Sequence, residues 1–403
     1  MILNKNDMAY VVIVGIDDER GVHIARTMKR HGIPFIGIAI EHKSPGTYAK
    51  GYEEILYSNI YDDAFIGVLE KLGPKFDRKA VLIPCYDIAV LLISRNRHRI
   101  KAWYHILLPD SESVELIRDK VRFYTYAQDR GFPLPKTYIL CSRKDADEAS
   151  ENLTFPCVLK PPDSKSASWR KKTYIKVFKV MNKVELISLF DQYHDTGDVL
   201  IAQEYIPGGD ENLYSCYLYF DASSKPLVAF TSRKLRQWPP ETGVGCFAEE
   251  VEEKIVEDEA IKMMQSLNFY GICGFEMKKS SETGEFFIIE ANIGRPAGRF
   301  AHVEGSGVEF LYTLYCDAVG ISLPKERVQI FNGVKFIHFR RDLSSFLMYW
   351  KRGELTFWNW LKSLRGKKVF ALFSWSEPMP FFVDLFHTFR KFLKSTERSK
   401  RNL

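Results

Sequence analysis

Glu276 lies in Gly274-Phe275-Glu276-Met277, and Glu290 and Asn292 lie in Phe286-Phe287-Ile288-Ile289-Glu290-Ala291-Asn292. A turn-type stretch, Ser280 to Gly284, joins the two apolar runs, so the pattern predicts a β-hairpin. Side chains two apart in a strand share a face, which puts Glu290 with Asn292, and the hairpin can bring Glu276 to the same side. Clustered hard oxygen donors suit Mg²⁺, which takes one or two carboxylates while phosphates and waters complete its octahedron. The hairpin therefore reads as a magnesium–nucleotide platform. The plainer alternative is a solvated sheet face whose two acids pair with lysines.

A nucleotide needs a phosphate grip, and two familiar ones are missing. Gly15-Ile16-Asp17-Asp18-Glu19-Arg20-Gly21 is not a dinucleotide loop, since its acids would repel a pyrophosphate, and no GxxxxGK[ST] occurs. Instead, Cys157-Val158-Leu159-Lys160 ends an apolar strand on a lysine that must reach water or an anion. The basic stretch Asp163 to Lys172 follows and suits a cover for phosphates. Val199 to Glu204 predicts a further strand, running into Tyr205-Ile206-Pro207-Gly208-Gly209-Asp210-Glu211. Backbone there can read an adenine edge, with an acid beyond it for ribose hydroxyls. Arg233, Lys234 and Arg236 crowd one later strand, an arrangement that calls for an anion between them.

These groups have to be positioned by the rest of the 403 residues, a length that implies several domains. Tyr10 to Gly15, Phe35 to Ile40 and Ala80 to Pro84 are apolar strands that alternate with helical patterns, so the N-terminal part is an α/β unit with a parallel sheet. Ligands sit beyond the carboxyl ends of such strands, where Asp87 falls; a helix-start role serves it equally well. One helix is expected from about Ser113 to Arg130. Seven cysteines without CxxC spacing argue against a disulfide framework or zinc site and for buried thiols. No window has the length and apolarity of a membrane span, and residues 1–10 do not look secretory, so a cytoplasmic location is expected. The net charge of +6 is concentrated towards the C-terminus.

The order of parts, from Val158-Leu159-Lys160-Pro161 through Gln203-Glu204-Tyr205-Ile206-Pro207-Gly208 and Arg233-Lys234 to Glu276 and Glu290-Ala291-Asn292, resembles the ATP-grasp superfamily, and more closely its carboxylate–amine ligase branch that includes D-aspartate ligases. The resemblance implies an α/β and α+β architecture. A pre-ATP-grasp domain would span 1–110 and an ATP-grasp domain 111–330, the latter divided into a lid subdomain at 135–205 and a catalytic subdomain at 206–330; a helical extension would span 331–403. It implies ATP and one or two Mg²⁺ ions. Lys120 and Lys160 would hold the α/β-phosphates, Glu204, Tyr205 and Ile206 would bracket adenine, and Asp210 or Glu211 would take the ribose. Glu276, Glu290 and Asn292 would bind metal. Arg233 and Lys234 would lie nearest the reacting phosphoryl group, and Arg295 or Arg299 would steady that group or a substrate carboxylate. Asp87, His302 and Glu304 are candidate pocket residues. The implied reaction activates a carboxylate as an acyl phosphate, which an amine displaces, under a mobile lid formed by 163–172 and 236–246. A carboxylase or phosphotransferase shares the nucleotide half and remains the alternative.

The extension interleaves aromatics with Lys and Arg at Phe346 to Trp350, Phe357 to Trp360 and Phe381 to Phe386, and Phe386 to Leu393 reads as a basic amphipathic helix. A cap on the core or on a second subunit in a homodimer is favoured; the competing expectation is peripheral contact with the inner face of a membrane, with a cell-wall or surface-polysaccharide precursor as substrate. A nucleic-acid module would need a basic stripe with stacking residues, and the acids Glu276 and Glu290 oppose it, so no nucleic-acid partner is expected.

Overall fold

The computed structural model describes residues 8–163, 166–173, 175–194 and 199–388. Strands β1 (Val11–Val14), β2 (Phe35–Ala39), β3 (Glu54–Tyr57), β4 (Ala80–Pro84) and β5 (Tyr104–Ile106) form a parallel sheet in the order β3-β2-β1-β4-β5. The continuous apolar runs of β1, β2 and β4 are wholly buried, as covering both faces of a parallel sheet requires. Carboxyl ends of β1 and β4 lead into the helices Glu19–Arg30 and Asp87–Arg95, so Asp87 is the first residue of a helix at the ligand edge of this sheet.

A second sheet of four antiparallel strands follows: β6 (Thr137–Leu140), β7 (Cys157–Lys160), β8 (Phe178–Val180) and β9 (Leu200–Glu204), in the order β6-β9-β7-β8. The helices Arg143–Asn152 and Lys183–Tyr193 pack with it around Leu140, Leu159, Trp169, Leu186 and Phe190, an apolar cluster separate from the others. Most of this unit packs on that cluster of its own, an arrangement suited to movement as a body, while Ile201 of β9 is buried in another cluster with Tyr124 and Tyr214.

Seven strands make the third sheet. β10 (Leu213–Phe220), β11 (Pro226–Trp238), β12 (Val244–Glu250), β13 (Gly271–Lys279), β14 (Phe286–Ile293), β15 (Lys335–Ile337) and β16 (Lys368–Phe370) run in the order β14-β13-β10-β11-β12-β15-β16. Its core is continuous with that of the N-terminal sheet: Tyr217, Phe230, Phe300 and Phe310 share one cluster with Val11, Ile13 and Val81. Cys85, Cys157, Cys216, Cys246, Cys273 and Cys316 are buried free thiols, and among the described residues no helix is long and apolar enough to cross a membrane.

Three local expectations are revised. The helix expected over 113–130 is two helices, Ser111–Arg118 and Lys120–Asp129, because Asp119 takes an extended backbone and caps the second by accepting from Val121 and Arg122 N–H. The C-terminal extension, expected to be helical, also adds β15 and β16 to the seven-stranded sheet and lays the helix Phe339–Lys351 on β11. That docking centres on Asp342, fully buried, whose Oδ1 accepts from Arg236 Nε at 2.7 Å and whose Oδ2 accepts from the Trp360 indole at 2.9 Å. Finally, the segment 236–246 is not a free lid: Arg236 and Gln237 are buried and tied into the extension and the 210 loop. The amphipathic pattern at Phe386 to Leu393 lies largely outside the described residues.

Removing the Asp342 carboxylate leaves a buried guanidinium without its anion, an imbalance that costs about 3–5 kcal/mol. Asp342→Ala is expected to lower unfolding free energy by that order in a urea titration, and the double change Arg236→Met with Asp342→Leu to lose much less.

Candidate active site

One face of the seven-stranded sheet gathers the polar groups. Glu276 stands directly across from Glu290 on β14 and from Ser215 on β10. Ser215 in turn pairs with Ser232, and Lys234 lies two residues further along β11, on the same face. Lys234 Nζ donates to Glu276 Oε2 at 2.7 Å, while Arg299 Nη2 donates to Ser215 Oγ at 2.7 Å and to Glu276 Oε1 at 3.3 Å. Burial alone would raise the Glu276 carboxyl, but Lys234 and Arg299 outweigh it and hold it below the usual carboxylate range. Gly245 makes room for this arginine: a Cβ there would lie 2.3 Å from Arg299 Nη1. Gly245 on β12 thus serves close packing of a cation, whereas a Cβ at Gly243 would meet the Trp238 and Pro239 backbone.

Beyond Glu290, Asn292 Nδ2 donates to Glu290 Oε1 at 3.0 Å. Arg295 Nη2 donates to Asn292 Oδ1 at 2.9 Å, and Arg295 Nε donates to Asp87 Oδ1 at 2.6 Å. Arg118 Nη1 sits 3.5 Å from the same Asp87 oxygen. The N-terminal unit therefore meets the hairpin through a carboxylate between two guanidiniums. Gly294 permits the turn, with φ of +71° and Val90 and Leu108 packed against its Cα where a side chain would stand.

Opposite this face, β7 of the four-stranded unit brings in Lys160. Its buried Nζ donates to Tyr124 OH at 3.0 Å and to Gln203 Oε1 at 2.9 Å, both neutral acceptors. An ammonium has a third N–H to give. Burial lowers the Lys160 pKa to about 8, with Glu290 acting in the other direction. Tyr124 also donates to Ile289 O at 3.0 Å, and burial pushes its phenol up to about 12, with Lys120 opposing and Glu290 reinforcing the rise. Lys120, Lys160 and Glu290 consequently surround one phenol. The helix break at Asp119 sets Lys120 at the first position of its helix.

At the connection between the two sheets, Glu204 ends β9, Ile206 is buried, and the Tyr205 ring is flanked by Lys179 Nζ at 4.2 Å and Lys278 Nζ at 4.8 Å. Glu211 is exposed. Asp210 is otherwise placed than a ribose contact requires: its oxygens accept from Gln237 N–H at 2.7 Å, Gln237 Nε2 at 2.8 Å, Glu241 N–H at 3.0 Å and Tyr349 OH at 2.6 Å. Gln237 Oε1 accepts from Lys234 Nζ at 3.3 Å, so the extension is connected to the polar face through Tyr349, Asp210 and Gln237.

Three further expectations change. Arg233, adjacent to Lys234, points to the opposite face by strand alternation and pairs with Glu249. With Lys234 on Glu276 and Arg236 on Asp342, each cation of the expected cluster has its own carboxylate. His302 is a core residue with no exposed surface; it meets Val334 O through Nε2 at 2.8 Å, packs edge-on to Phe230, and is lowered to about 4 by burial. Glu304 is bound to Arg30 on the far side of the helix Phe300–Gly305. Tyr124, Gln203, Ser215 and Arg118 are new members of the site. Only Gln203 carries a clear signal in the sequence, as a polar residue inside an apolar strand.

Among the described residues no three His, Cys, Asp or Glu side chains converge on a metal position. The donors at hand are two facing carboxylates and an amide, with Glu290 accepting from the Asn292 amide. Such a set fits Mg²⁺ that shares its coordination with phosphate oxygens, and does not fit a site built wholly from protein ligands.

No family model matches the chain. It is similar to a D-aspartate ligase of Enterococcus faecium, 24% identical over 277 residues, covering 65% of this chain and 65% of the relative. It is also similar to a D-alanine–D-alanine ligase of Neisseria gonorrhoeae, 25% identical over 182 residues, covering 43% of this chain and 56% of the relative. The chain thus spans somewhat under two thirds of the curated relatives' length. In three dimensions it is similar to the N5-carboxyaminoimidazole synthetase of Staphylococcus aureus solved with ADP, with a TM-score of 0.62 at 16% identity, covering 80% of each chain.

Gly245→Ala should force Arg299 from Ser215 and Glu276. Overpacking of this kind costs about 1–3 kcal/mol, to be read as a lowered urea midpoint.

Proposed function

We propose that the chain is an ATP-dependent ligase of the ATP-grasp superfamily that joins a carboxylate to an amine through an acyl phosphate. The observation that carries this reading is the buried Lys160 ammonium, held by the neutral oxygens of Gln203 on its own sheet and of Tyr124 on the helix Lys120–Asp129, with Glu290 of the seven-stranded sheet close enough to act on its charge. A buried ammonium hydrogen-bonded to neutral oxygens, beside a Glu290 carboxylate that accepts from the Asn292 amide, is complementary to a magnesium-bound polyphosphate.

In this reading Lys160 and Lys120 bind the α/β-phosphates, with Tyr124 and Gln203 fixing the direction of the Lys160 ammonium. Glu204, Tyr205 and Ile206 border adenine where the two sheets connect, and Glu211 is the acid left for ribose. Glu276, Glu290 and Asn292, together with phosphate oxygens, would hold one or two Mg²⁺ ions, which would neutralise charge on the transferring phosphoryl group. Lys234 and Arg299, locked on Glu276, present fixed positive charge at the same place, so no reorganisation is needed as charge develops. Arg295 and Arg118, balanced by Asp87, suit a small substrate carrying a carboxylate. The four-stranded unit, with a largely separate core, closes over the nucleotide and excludes water that would hydrolyse an acyl phosphate. A small-molecule amine, or an amine-bearing wall or surface-polysaccharide precursor, would complete the reaction. The likeness to N5-carboxyaminoimidazole synthetase favours a second reading, a carboxylase; dependence of ADP formation on bicarbonate separates the two.

The test is an ADP-release screen over pairs of carboxylates and amines with Mg–ATP. A productive pair should form ADP and amide together. Glu290→Gln and Lys160→Ala should each reduce turnover by about 10²-fold or more, the scale of removing one stabilising charge. Turnover surviving in both variants would refute the site.

Lys160 adds a pH signature. Unbound, it loses its proton near pH 8; a phosphate beside it restores the charge, so nucleotide binding draws in a proton. Calorimetry of Mg–ADP binding at that pH in buffers of different ionisation enthalpy should show uptake of about half a proton, less at neutral pH where the lysine is already charged, and none in Lys160→Met. Stability of the free protein should correspondingly rise as pH passes upward through 8, because the unfolded lysine keeps a proton that the folded one gives up.

A further inference from the structure

The extension does more than brace β11. Of the 21 large hydrophobic side chains that stand exposed among the described residues, 11 lie between 339 and 388. Trp358 is 75% exposed, Trp350 57% and Phe357 46%. Phe346 joins them into one patch, stacking on Trp350 at 6.1 Å and meeting Phe357 at 6.3 Å, while Phe357 meets Trp358 at 5.5 Å. On the short helix Phe357–Ser363, Trp358, Leu361 and Lys362 share one face by helical spacing, which Arg365 continues just beyond the helix end. The opposite face is fixed: Trp360 is buried on Phe346 and donates to Asp342.

We propose that this aromatic and basic face docks the protein on an anionic lipid surface. An apolar patch this concentrated marks a contact, and its charge selects the partner. Residues 350–368 hold six cations, Lys351, Arg352, Lys362, Arg365, Lys367 and Lys368, against one acid of their own, Glu354, and Arg352 is paired with Glu241 from the core. Tryptophan beside Lys and Arg is the composition that settles at a membrane–water boundary, where the ring enters the headgroup layer and the cations meet lipid phosphates. A second copy docking by a twofold axis would bring this basic face onto itself. The chain's own residues 389–403, with six Lys or Arg and the single acid Glu397, carry the same sign and would be repelled from it. The proposal does not depend on the ligase reading, since none of these residues is placed at the nucleotide.

Full-length protein is sedimented with phosphatidylcholine vesicles, with and without phosphatidylglycerol. Binding is expected only with the anionic lipid and should weaken with added salt. Trp358→Ser with Leu361→Ser, and separately Lys362→Glu with Arg365→Glu, should each weaken it by about tenfold or more while residues 389–403 remain in place. Unchanged far-ultraviolet dichroism and thermal midpoint keep the variants comparable. Absence of anionic-vesicle binding, or equal binding by wild type and both variants, overturns the proposal. So does a wild-type dimer in analytical ultracentrifugation that Trp358→Ser with Leu361→Ser dissolves.

Discussion

A lysine ammonium buried against a phenol and an amide oxygen is an unbalanced charge, and much of this molecule is arranged around that imbalance. Lys160 reaches its place because β7 ends there, and Gln203 and Tyr124 hold it there rather than neutralise it. The cost is visible in its lowered pKa. Isolated buried charge is unfavourable unless an anion arrives, so the position has the character of a binding site that is already desolvated and aimed. Elsewhere in the interior the protein follows the opposite policy: Lys234, Arg299, Arg236 and Arg295 each sit on a carboxylate.

That contrast explains the division of labour between the sheets. The seven-stranded sheet shares its core with the N-terminal unit and is further fastened by the extension through Asp342 and Tyr349, so Glu276, Glu290, Lys234 and Arg299 belong to one rigid surface. The four-stranded sheet keeps a largely separate core, and it carries Lys160. A phosphate bound between them would be gripped by a fixed platform and by a unit able to approach it.

Much of this was legible in the sequence where simple periodicity governs. The alternation around Glu276 and Glu290 specifies a hairpin, and the structure pairs those two residues directly. Apolar runs mark β1, β2 and β4 to within a residue or so of their ends. Alternation could also have separated Arg233 from Lys234, since neighbours in a strand face opposite ways. Other features depend on distant partners and leave no local trace. Asp210 looks free in its Gly-Gly-Asp-Glu turn, yet it is saturated by Gln237, Glu241 and Tyr349. Likewise His302 gains its burial from Phe230 and Val334, and the three-residue strands β15 and β16 exist only because an edge of the sheet is there to receive them. The break at Asp119 was local, but Asp before Lys at a helix start is easily absorbed into a longer helical pattern.

The most direct test of the account is the affinity for ADP measured with and without Mg²⁺, in the wild type and in Glu290→Gln. If Glu276, Glu290 and Asn292 hold a metal through the nucleotide phosphates, Mg²⁺ tightens ADP binding by the wild type and leaves Glu290→Gln nearly unchanged. Equal enhancement by Mg²⁺ in both proteins, or no binding of ADP by the wild type, would contradict it.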